Sequence, residues 1–505
     1  MRRTLLTVAV ALAVAQAQPF NWDSTARLTY SDSASHNSMT PARSIATGPS
    51  GCVHVVFYDY RTGRDQIYYK RSADSGATWS SDTMLSNGSG VKGEPAVAAS
   101  AGYVHAVWED RDSGYNAAIC YRRSSDAGLT WLPQSLLAPP GYNCRNPSVA
   151  AQDSFVHVAW ADDSAGRELY YRRSTDFGAT WSDKVKLTND MQESWHPSLG
   201  LHDSFVHLAW RDWRDHSFEI YYKRSTDYGA TWSADARLSG DVATGSYNPC
   251  LAADSGLVHV VWWDTRTEPF EIYYKNSTDD GGTWNDEQRL TNDTTGSYNM
   301  TVAARGSTVH VMWEALYGTS FIMYKFSTDG GSTWSPDTAL TTTPDYWSVS
   351  PSAAMDAGDV HVIWTDFRDS EYGEIYYKRK LAGSSGAEES RKPQATSYKL
   401  EPTIIHGVLL LGGENGDCPQ NRGLSLRRAI CDSQGLSPGF ASEGLSPVFA
   451  KPALLDISGQ KVLALHPGAN DVSNLAPGIY FVRSEPLAVS REPSAVTVRK
   501  VVLTR

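Results

Sequence analysis

The sequence predicts an all-β fold, a seven-bladed β-propeller with four strands in each blade, on three observations. A phrase of the form Ser-x-Asp-x-Gly-x-Thr-Trp occurs six times, and its tryptophans, from Trp79 to Trp334, are 50 to 52 residues apart. Two strand-like segments recur seven times with the same period. Residues 22–380 hold seven such periods, and four short strands in a unit of about 50 residues are typical of a propeller blade.

The two recurring segments predict the second and third strands of each blade. Their first copies are Val53-His-Val-Val-Phe57 and Ile67-Tyr-Tyr-Lys70. Both are rich in β-branched and aromatic residues that alternate with period two, and Gly, Asp and Ser separate them from their neighbours. A further strand is predicted before each pair, as in 147–151, and a fourth after the tryptophan, as in 232–238.

The N-terminal segment predicts how the ring closes. The two strand-like segments occur seven times, whereas the tryptophan phrase occurs only six times. Residues 22–29 match the fourth strand of another copy, residues 232–239. We therefore expect the N-terminal strand to complete the last blade, whose first three strands end at Lys380.

The six copies of the repeated phrase predict turns that stabilise the fold. The aspartate can accept N–H groups of its own turn, and the glycine can adopt a positive φ. The tryptophan begins the next strand and can pack between sheets. We predict a structural role for the six aspartates, which are Asp74, Asp126, Asp176, Asp227, Asp279 and Asp329.

The repeated phrase resembles the Asp-box, or BNR repeat, of sialidases and many other propellers. The resemblance covers residues 22–380 and implies that the boxes join the third and fourth strands, on the face away from the ligand site. It identifies a fold and no reaction.

The two ends of the chain predict its destination. In residues 1–17, Arg2 and Arg3 precede an apolar run and the small-residue site Ala15-Gln-Ala17, which is typical of a secretory signal peptide. The run is shorter than the roughly 20 residues that span a bilayer. Residues 18–380 form the predicted propeller, 381–400 a linker and 401–505 a small β-sandwich-like domain.

The C-terminal domain resembles the sorting domain of type IX secretion substrates. The matching residues are Leu455–Val462, Leu475–Arg483 and Lys500–Arg505. The resemblance implies that an outer-membrane secretion machinery recognises this domain. The protein is then expected to be secreted, either released or anchored at the cell surface.

Charge and composition exclude several classes of partner. The formal net charge is −11, and the excess of acidic residues lies in 18–380, so binding to nucleic acid or to an anionic membrane surface is not expected. We predict no membrane insertion and no cofactor. The second strands carry one histidine per blade, which spreads them around a ring where they cannot meet at one metal ion. We predict no metal and expect these histidines to form hydrogen bonds between blades: His54, His105, His157, His207, His259, His310 and His361.

A ligand site is predicted on the face opposite the Asp-boxes. The loops that precede the first strands differ from blade to blade and carry Trp195, Tyr247, Tyr298 and Trp347, whose rings can stack on sugars or grip a peptide. The loops after the second strands carry a repeated Asp-x-Arg pair, and such repetition favours a turn lock over a substrate clamp. We nevertheless name Arg214 and Arg266 as the predicted charge contacts.

Two functions stay open from the sequence. The first is a secreted carbohydrate-binding or protein-binding module whose partner is a glycan or an extracellular protein. The alternative is an exo-α-sialidase-like glycoside hydrolase with a divergent site. The Arg-Ile-Pro signature of sialidases is absent, and those enzymes have six blades, so the sequence assigns no catalytic residue.

Overall fold

The structure is a computed structural model of the 505-residue chain. It describes residues 22–31, 33–38, 43–111, 117–141, 143–189, 192–240, 244–293, 296–316, 320–342, 346–356 and 358–381, together with the backbone of seven strands between residues 403 and 503. The predicted signal peptide, 1–17, and nearly all of the predicted linker lie outside the described residues. Two compact units divide the chain, Met1–Ala387 and Glu388–Arg505.

The first unit is the predicted seven-bladed propeller, with seven separate antiparallel sheets. Its strands begin with β1 (Ala26–Arg27), which belongs to blade seven, and continue in blade one with β2 (Ser35–His36), β3 (Ile45–Thr47), β4 (Val53–Asp59), β5 (Gln66–Ser72) and β6 (Thr83–Met84). Blade two contains β7 (Val91–Ser100), β8 (Tyr103–Arg111), β9 (Ala117–Ser124) and β10 (Ser135–Ala138). Blade three contains β11 (Arg145–Gln152), β12 (Phe155–Asp162), β13 (Glu168–Ser174) and β14 (Val185–Lys186).

The remaining blades repeat this order of strands. Blade four contains β15 (Ser194–His202), β16 (Phe205–Asp212), β17 (Glu219–Ser225) and β18 (Ala236–Arg237). Blade five contains β19 (Ser246–Asp254), β20 (Leu257–Asp264), β21 (Glu271–Ser277) and β22 (Gln288–Arg289). Blade six contains β23 (Ser297–Arg305), β24 (Thr308–Leu316), β25 (Ser320–Ser327) and β26 (Thr338–Ala339). Blade seven contains β27 (Ser348–Met355), β28 (Val360–Asp366) and β29 (Glu374–Lys380). Two short 3₁₀ segments, Pro49–Gly51 and Asp163–Ala165, are the helices of the described residues.

The N-terminal strand closes the ring, as predicted. Strand β1 pairs with β29, with Ala26 opposite Tyr377 and Arg27 opposite Tyr376. Trp22 packs edge-on against Tyr324 of blade six, with ring centroids 5.1 Å apart. The first and last segments of the propeller therefore belong to one sheet.

The hydrophobic core lies between neighbouring blades. Seven clusters of buried side chains occupy the seven junctions, and the one between blades two and three contains Ile119 and Trp160. Asp-box tryptophans pack edge-on against a third-strand tyrosine of the preceding blade, as Trp181 does with Tyr121 at 5.0 Å. Each blade is thus held mainly by its neighbours.

The second-strand histidines bond within their own blade, which corrects the expectation of hydrogen bonds between blades. His105 Nδ1 lies 2.8 Å from the hydroxyl oxygen of Tyr121 on the next strand. The tyrosine is the residue that reaches the following blade, because a Cβ on the Asp-box Gly178 would lie only 1.9 Å from its hydroxyl oxygen. Burial, then Arg123, lowers the pKa of His105 to about 3, so the ring is neutral.

Each Asp-box is a small network of hydrogen bonds between a third and a fourth strand. In blade four, Asp227 Oδ1 accepts hydrogen bonds from the Thr231 backbone N–H at 2.8 Å and from the Ser225 hydroxyl at 2.7 Å. The Thr231 hydroxyl donates to Asp227 Oδ2 at 2.7 Å. Gly229, at a φ of 77°, donates its N–H to the Ser225 hydroxyl oxygen at 2.8 Å.

We expect acid to destabilise the propeller through these boxes. Hydrogen bonds from the Thr231 side chain and backbone lower the pKa of Asp227 to about 2, and Asp126, Asp176, Asp279 and Asp329 also have a pKa of about 2. An unfolded aspartate has a pKa of about 3.9. The unfolded chain therefore binds more protons between about pH 4 and pH 2, so the free energy of unfolding falls across that window.

Urea unfolding at pH 5, 4 and 3 measures this effect. An Asp176→Asn, Asp227→Asn double variant should be less stable at pH 5 and lose less stability on acidification, because two of the linked carboxyls are gone. Because the carboxylates of the Asp-boxes are exposed to solvent, the contribution of each box to the loss of stability is small. Equal acid sensitivity of the variant and the native chain would contradict the assignment.

The second unit is all-β, as predicted. Its strands are β30 (Thr403–Ile405), β31 (Val408–Leu411), β32 (Ala453–Leu455), β33 (Lys461–Ala464), β34 (Gly468–Asp471), β35 (Gly478–Ser484) and β36 (Thr497–Leu503). Five of them form one sheet in the order β30-β36-β35-β32-β33, and β31 pairs with β34. Within the described part of the chain, no helix has the length and apolar character needed to cross a membrane.

Candidate functional site

The two faces of the propeller carry different kinds of segment. The Asp-boxes and the hairpins between first and second strands lie on one face, here the Asp-box face. The opposite, loop face contains the loops from second to third strands and from each fourth strand to the next first strand. Seven of the eight exposed aromatic side chains among the described residues lie in loop-face segments: Tyr30, Tyr60, Trp213, Phe270, Tyr346, Trp347 and Tyr372. The eighth, Tyr228, stacks on Phe155 at 4.2 Å on the Asp-box face.

A narrow channel runs between the first strands. It contains a cavity of about 200 Å³ lined largely by small side chains such as Ala98, Ala252 and Ala303. Arg43 crosses the channel from blade one and donates a hydrogen bond through Nη2 to the Leu251 carbonyl oxygen of blade five at 2.5 Å. The loop-face end of the channel is here called the channel mouth.

A β-bulge interrupts the first strand at the channel mouth in blades two to seven. The register of each of these strands shifts against its neighbour at the same place. The bulged residue has a positive φ of 47° to 55°, which is uncommon for residues other than glycine and re-aims a side chain. The bulged residues differ in type: Glu94, Asn146, His196, Asn248, Asn299 and Ser350.

The first-strand residue just before each bulge is paired with a residue of the second strand. Both residues differ in type from blade to blade. The second-strand residue that precedes this paired position is a buried tryptophan in six of the seven blades. The variation in residue type is therefore confined to the channel mouth. We call these residues the mouth pairs. They are His36–Tyr58, Gly93–Glu109, Arg145–Ala161, Trp195–Arg211, Tyr247–Trp263, Tyr298–Glu314 and Val349–Thr365.

Three of the four predicted stacking residues belong to the mouth pairs. The Trp195 ring is covered by the Arg167 guanidinium at 4.1 Å, and its Nε1–H donates to Glu193 at 3.0 Å. Tyr247 stacks on Trp263 with ring centroids 4.3 Å apart. Trp347 lies instead in the loop before blade seven and is 49% exposed. Their role in binding stays a prediction.

The two predicted charge contacts, Arg214 and Arg266, lie in turn locks. Arg214 donates to Asp212 through Nε at 2.8 Å and Nη2 at 2.7 Å, and through Nη1 to Asp235 at 2.8 Å. Its guanidinium lies 4.1 Å above the Tyr221 ring, toward the outer strands. Arg266 donates through Nη2 to Asp264 at 2.6 Å and through Nη1 to Glu287. These carboxylates occupy the donors that a ligand would need.

Two carboxylates of the mouth pairs hold the next blade. Glu109 accepts the backbone N–H of the bulged Asn146 at 2.7 Å. Glu314 accepts the Ser350 N–H at 3.4 Å and the Asn299 amide at 3.0 Å. Burial raises the pKa of Glu314. Burial and then Glu314 raise the pKa of Tyr298 to about 12, so this phenol is neutral.

One group of described residues could hold a metal ion. Possible ligand atoms of Asp356, Asp359 and His361 lie within 4.8 Å of one another. His361 Nδ1 lies 2.7 Å from the Tyr377 hydroxyl oxygen, and its Nε2 lies 3.9 Å from Asp356 Oδ2. The group belongs to the hairpin between the first two strands of blade seven, on the Asp-box face and away from the mouth pairs.

Comparison with known sequences identifies one family. The model of a protein family described as "BNR repeat-like domain" matches residues 6–193 and 205–380, which is well over half of the chain. No curated protein matches the sequence.

Several solved structures resemble the chain at low identity. An ulvan lyase of polysaccharide lyase family PL25, bound to GlcA(1-4)Rha3S, is 11% identical with a TM-score of 0.50, over 69% of this chain and 95% of that one. A protein of unknown function from Dyadobacter fermentans DSM 18053 is 14% identical with a TM-score of 0.44, over 57% and 94%. A Trypanosoma rangeli sialidase is 12% identical with a TM-score of 0.41, over 60% and 57%. At such identities the similarity shows the fold alone.

Proposed function

The chain belongs to the BNR repeat-like domain family, and from this premise we propose that it is a secreted propeller that binds a carbohydrate at the channel mouth on its loop face. The observation that carries the proposal is the set of seven mouth pairs, each chemically different, within an otherwise repetitive scaffold. Repeated positions offer the same group seven times, whereas selective recognition needs different groups in fixed places. The loop face provides them on rigid strands.

The aromatic residues support a sugar as the ligand. Seven of the eight exposed rings lie on one face, and flat rings suit the apolar faces of pyranoses. Tyr346 and Trp347, 44% and 49% exposed, are adjacent in the loop before blade seven. The ulvan lyase with bound GlcA(1-4)Rha3S provides an example of a carbohydrate ligand on a similar fold. We extend that class of ligand to this chain as part of the proposal.

A second candidate function is glycan cleavage by an exo-α-sialidase-like or other glycoside-active enzyme. The observation in its favour is the Tyr298–Glu314 pair, a phenol beside a buried carboxyl whose pKa is raised. A carboxyl whose pKa is raised is better suited than an ordinary one to act as a general acid. However, the backbone and side-chain hydrogen bonds to Glu314 also suit a purely structural role, so we place binding first.

The C-terminal unit completes the proposal. We infer that residues 401–505 are recognised by an outer-membrane secretion machinery, which delivers the propeller to the cell surface or the medium. Comparing the extracellular yield of chains with and without 401–505 in a host with that machinery tests this inference, and equal yields would contradict it.

A glycan array, read beside a panel of fluorogenic glycosides that includes a sialoside, tests the main proposal. We expect binding to at least one glycan class and loss of about tenfold in affinity for Trp347→Ala, since a stacking contact contributes up to about 1.5 kcal/mol. Tyr228→Ala is the matched control, because it removes an exposed ring from the Asp-box face. Failure to bind any glycan would contradict the proposal, and turnover of a glycoside would establish the second candidate.

A further inference from the structure

Four polar atoms at the channel mouth of blades three to five are buried. Asn146 Oδ1, His196 Nδ1 and Asn248 Oδ1 are shielded from solvent, as is Arg211 Nε, and none of the four has a hydrogen-bond partner besides the contact that the His196 and Asn248 side chains make with each other. The first three belong to the bulged residues of adjacent blades. Buried polar atoms without partners are rare in folded proteins, and each needs an explanation.

In three of the seven blades, a second-strand residue at the mouth accepts a backbone N–H of the following blade. Glu109, Glu314 and Thr365 each accept a backbone N–H of the next blade, at 2.7, 3.4 and 3.3 Å. In blade four, the equivalent residue is Arg211, which has only donors and cannot accept such a bond. Arg211 therefore lacks this structural use, as do Ala161 and Trp263 in blades three and five.

Arg211 differs from the arginines of the turn locks in having no carboxylate within ion-pair distance. Within the described residues, its guanidinium makes no hydrogen bond or ion pair, whereas Arg214, three residues later, is held by Asp212 and Asp235. Aromatic rings support it instead: its guanidinium carbon lies 4.1 Å from the Phe218 ring centroid and 5.4 Å from that of Tyr247. Burial lowers the pKa of Arg211 to about 10, so the group remains charged at neutral pH.

A partly buried guanidinium without an ion-pair partner is costly. The charge of Glu193 acts on Arg211 through space, but that carboxylate is bonded to Arg167 and Trp195. The aromatic contacts offset only part of that cost. They also fix the planar group in one orientation, which suits bidentate hydrogen bonding to a carboxylate or sulfate. An anionic group of a ligand would therefore complete this junction.

The neighbouring polar groups are neutral and can recognise hydroxyl groups. Burial, followed by the charge of Arg211, lowers the pKa of His196 to about 3, so its ring is uncharged. Asn248 provides an uncharged amide beside it in the next blade. Neither residue competes with an anion for Arg211, and both match the donors and acceptors of a sugar ring. Trp195 and Tyr247 are the adjacent mouth-pair aromatics.

We propose that the junction of blades four and five is a subsite for an acidic sugar, with Arg211 binding its anionic substituent and His196 and Asn248 binding its hydroxyl groups. The shared chemistry is a planar or tetrahedral oxyanion on a pyranose, either the carboxylate of a uronic acid or a sulfate ester. This inference rests on the proposed function and makes it specific. The acidic propeller does not oppose it, because local potential at a cleft decides which ions bind.

Calorimetric titration of the full-length mature protein with three tetrasaccharides tests the subsite. The probes are a glucuronate-containing tetrasaccharide, the same molecule with its carboxyls reduced to alcohols, and a sulfated galactan tetrasaccharide. We expect at least one acidic probe to bind tenfold or more tightly than the carboxyl-reduced probe, because hydrogen bonds to charged groups are the stronger ones. The preferred acidic probe distinguishes carboxylate from sulfate.

Three variants assign the effect to Arg211. Arg211→Gln should lose at least tenfold in affinity for the acidic probe and bind the neutral one as the native chain does. Arg211→Lys keeps the charge without the planar fork and should lose affinity to an intermediate degree. Arg368→Gln, which removes an equal charge from the turn lock of blade seven, should bind all probes normally.

The outcomes separate this inference from the proposed function. Binding of the neutral probe as tightly as the acidic ones, or full acidic affinity in Arg211→Gln, would overturn the subsite and leave carbohydrate binding standing. Absence of binding to every probe and to the glycan array would overturn both. Melting temperatures show whether each variant is folded. If Arg211→Gln is not folded, the test uses Arg211→Lys instead, and the increase in its melting temperature on adding the acidic probe shows whether the subsite has lost affinity.

Discussion

Deleting residues 18–30 is expected to lower the melting temperature of the propeller by about 10 °C or more, because the deletion removes the outer strand of blade seven. Glu374, which is fully buried, would lose its ion pair with Arg27 at 2.8 Å and its hydrogen bond from Thr29. Breaking a buried pair costs about 3–5 kcal/mol, and losing the apolar contacts of the buried Leu28 costs a further 2 kcal/mol or so. That sum is a large fraction of the stability of a typical domain.

The deletion has a matched control in blade five. There, Arg289 donates to the buried Glu271 at 2.6 Å and Thr291 also bonds to it, as Arg27 and Thr29 do to Glu374. An Arg289→Met, Thr291→Val double variant removes the same partners without opening the ring. We expect it to lower the melting temperature less than the deletion does, as followed by circular dichroism. A deletion no worse than this control would show that ring closure contributes little.

The repeated phrase was sufficient to predict the fold, for a physical reason. One blade cannot bury both faces of its sheet, so the same strands and turns must recur until the ring closes, and each recurrence strengthens the prediction. The closing strand could also be predicted, because Trp22 replaces the tryptophan of the missing seventh Asp-box. The partners of the histidines could not be predicted, since the contact between His105 and Tyr121 depends on the register and twist of two strands.

The candidate site was only partly accessible from the sequence. Repetition drew attention to Arg214 and Arg266, whose guanidinium groups the structure places in turn locks. Arg211 immediately precedes that motif, and no arginine recurs at its position in the other blades, so nothing in the sequence around it marks it as a site residue. Its proximity to Trp195 depends on a bulge, which shifts the pairing by one residue and cannot be read from alternation alone. An alignment of the seven repeats would have shown that the position after the buried tryptophan, which Arg211 occupies in blade four, is highly variable.

Replacing Gly178 by Ala is expected to destabilise the propeller by several kcal/mol. The glycine has a φ of 76°, which alone costs an L-residue about 1–2 kcal/mol. The added Cβ would lie 1.9 Å from the Tyr121 hydroxyl oxygen and 3.4 Å from His105 Nδ1. Tyr121 cannot move away easily, because it is buried between His105 and the Trp181 ring. Overpacking of this kind typically adds about 1–3 kcal/mol.

Gly102 provides the control that separates the two costs. Its φ is 82°, but a Cβ there would meet no atom within 4 Å, so Gly102→Ala should cost only the backbone term. Urea unfolding of both variants gives the difference, which measures the contact between Tyr121 of blade two and the Asp-box of blade three. Removing the tyrosine hydroxyl relieves the clash, so Tyr121→Phe should cost less in the Gly178→Ala background than in the native chain. Equal costs for the two glycine variants, or simple additivity of Tyr121→Phe, would contradict the view that these tyrosines hold neighbouring blades in register.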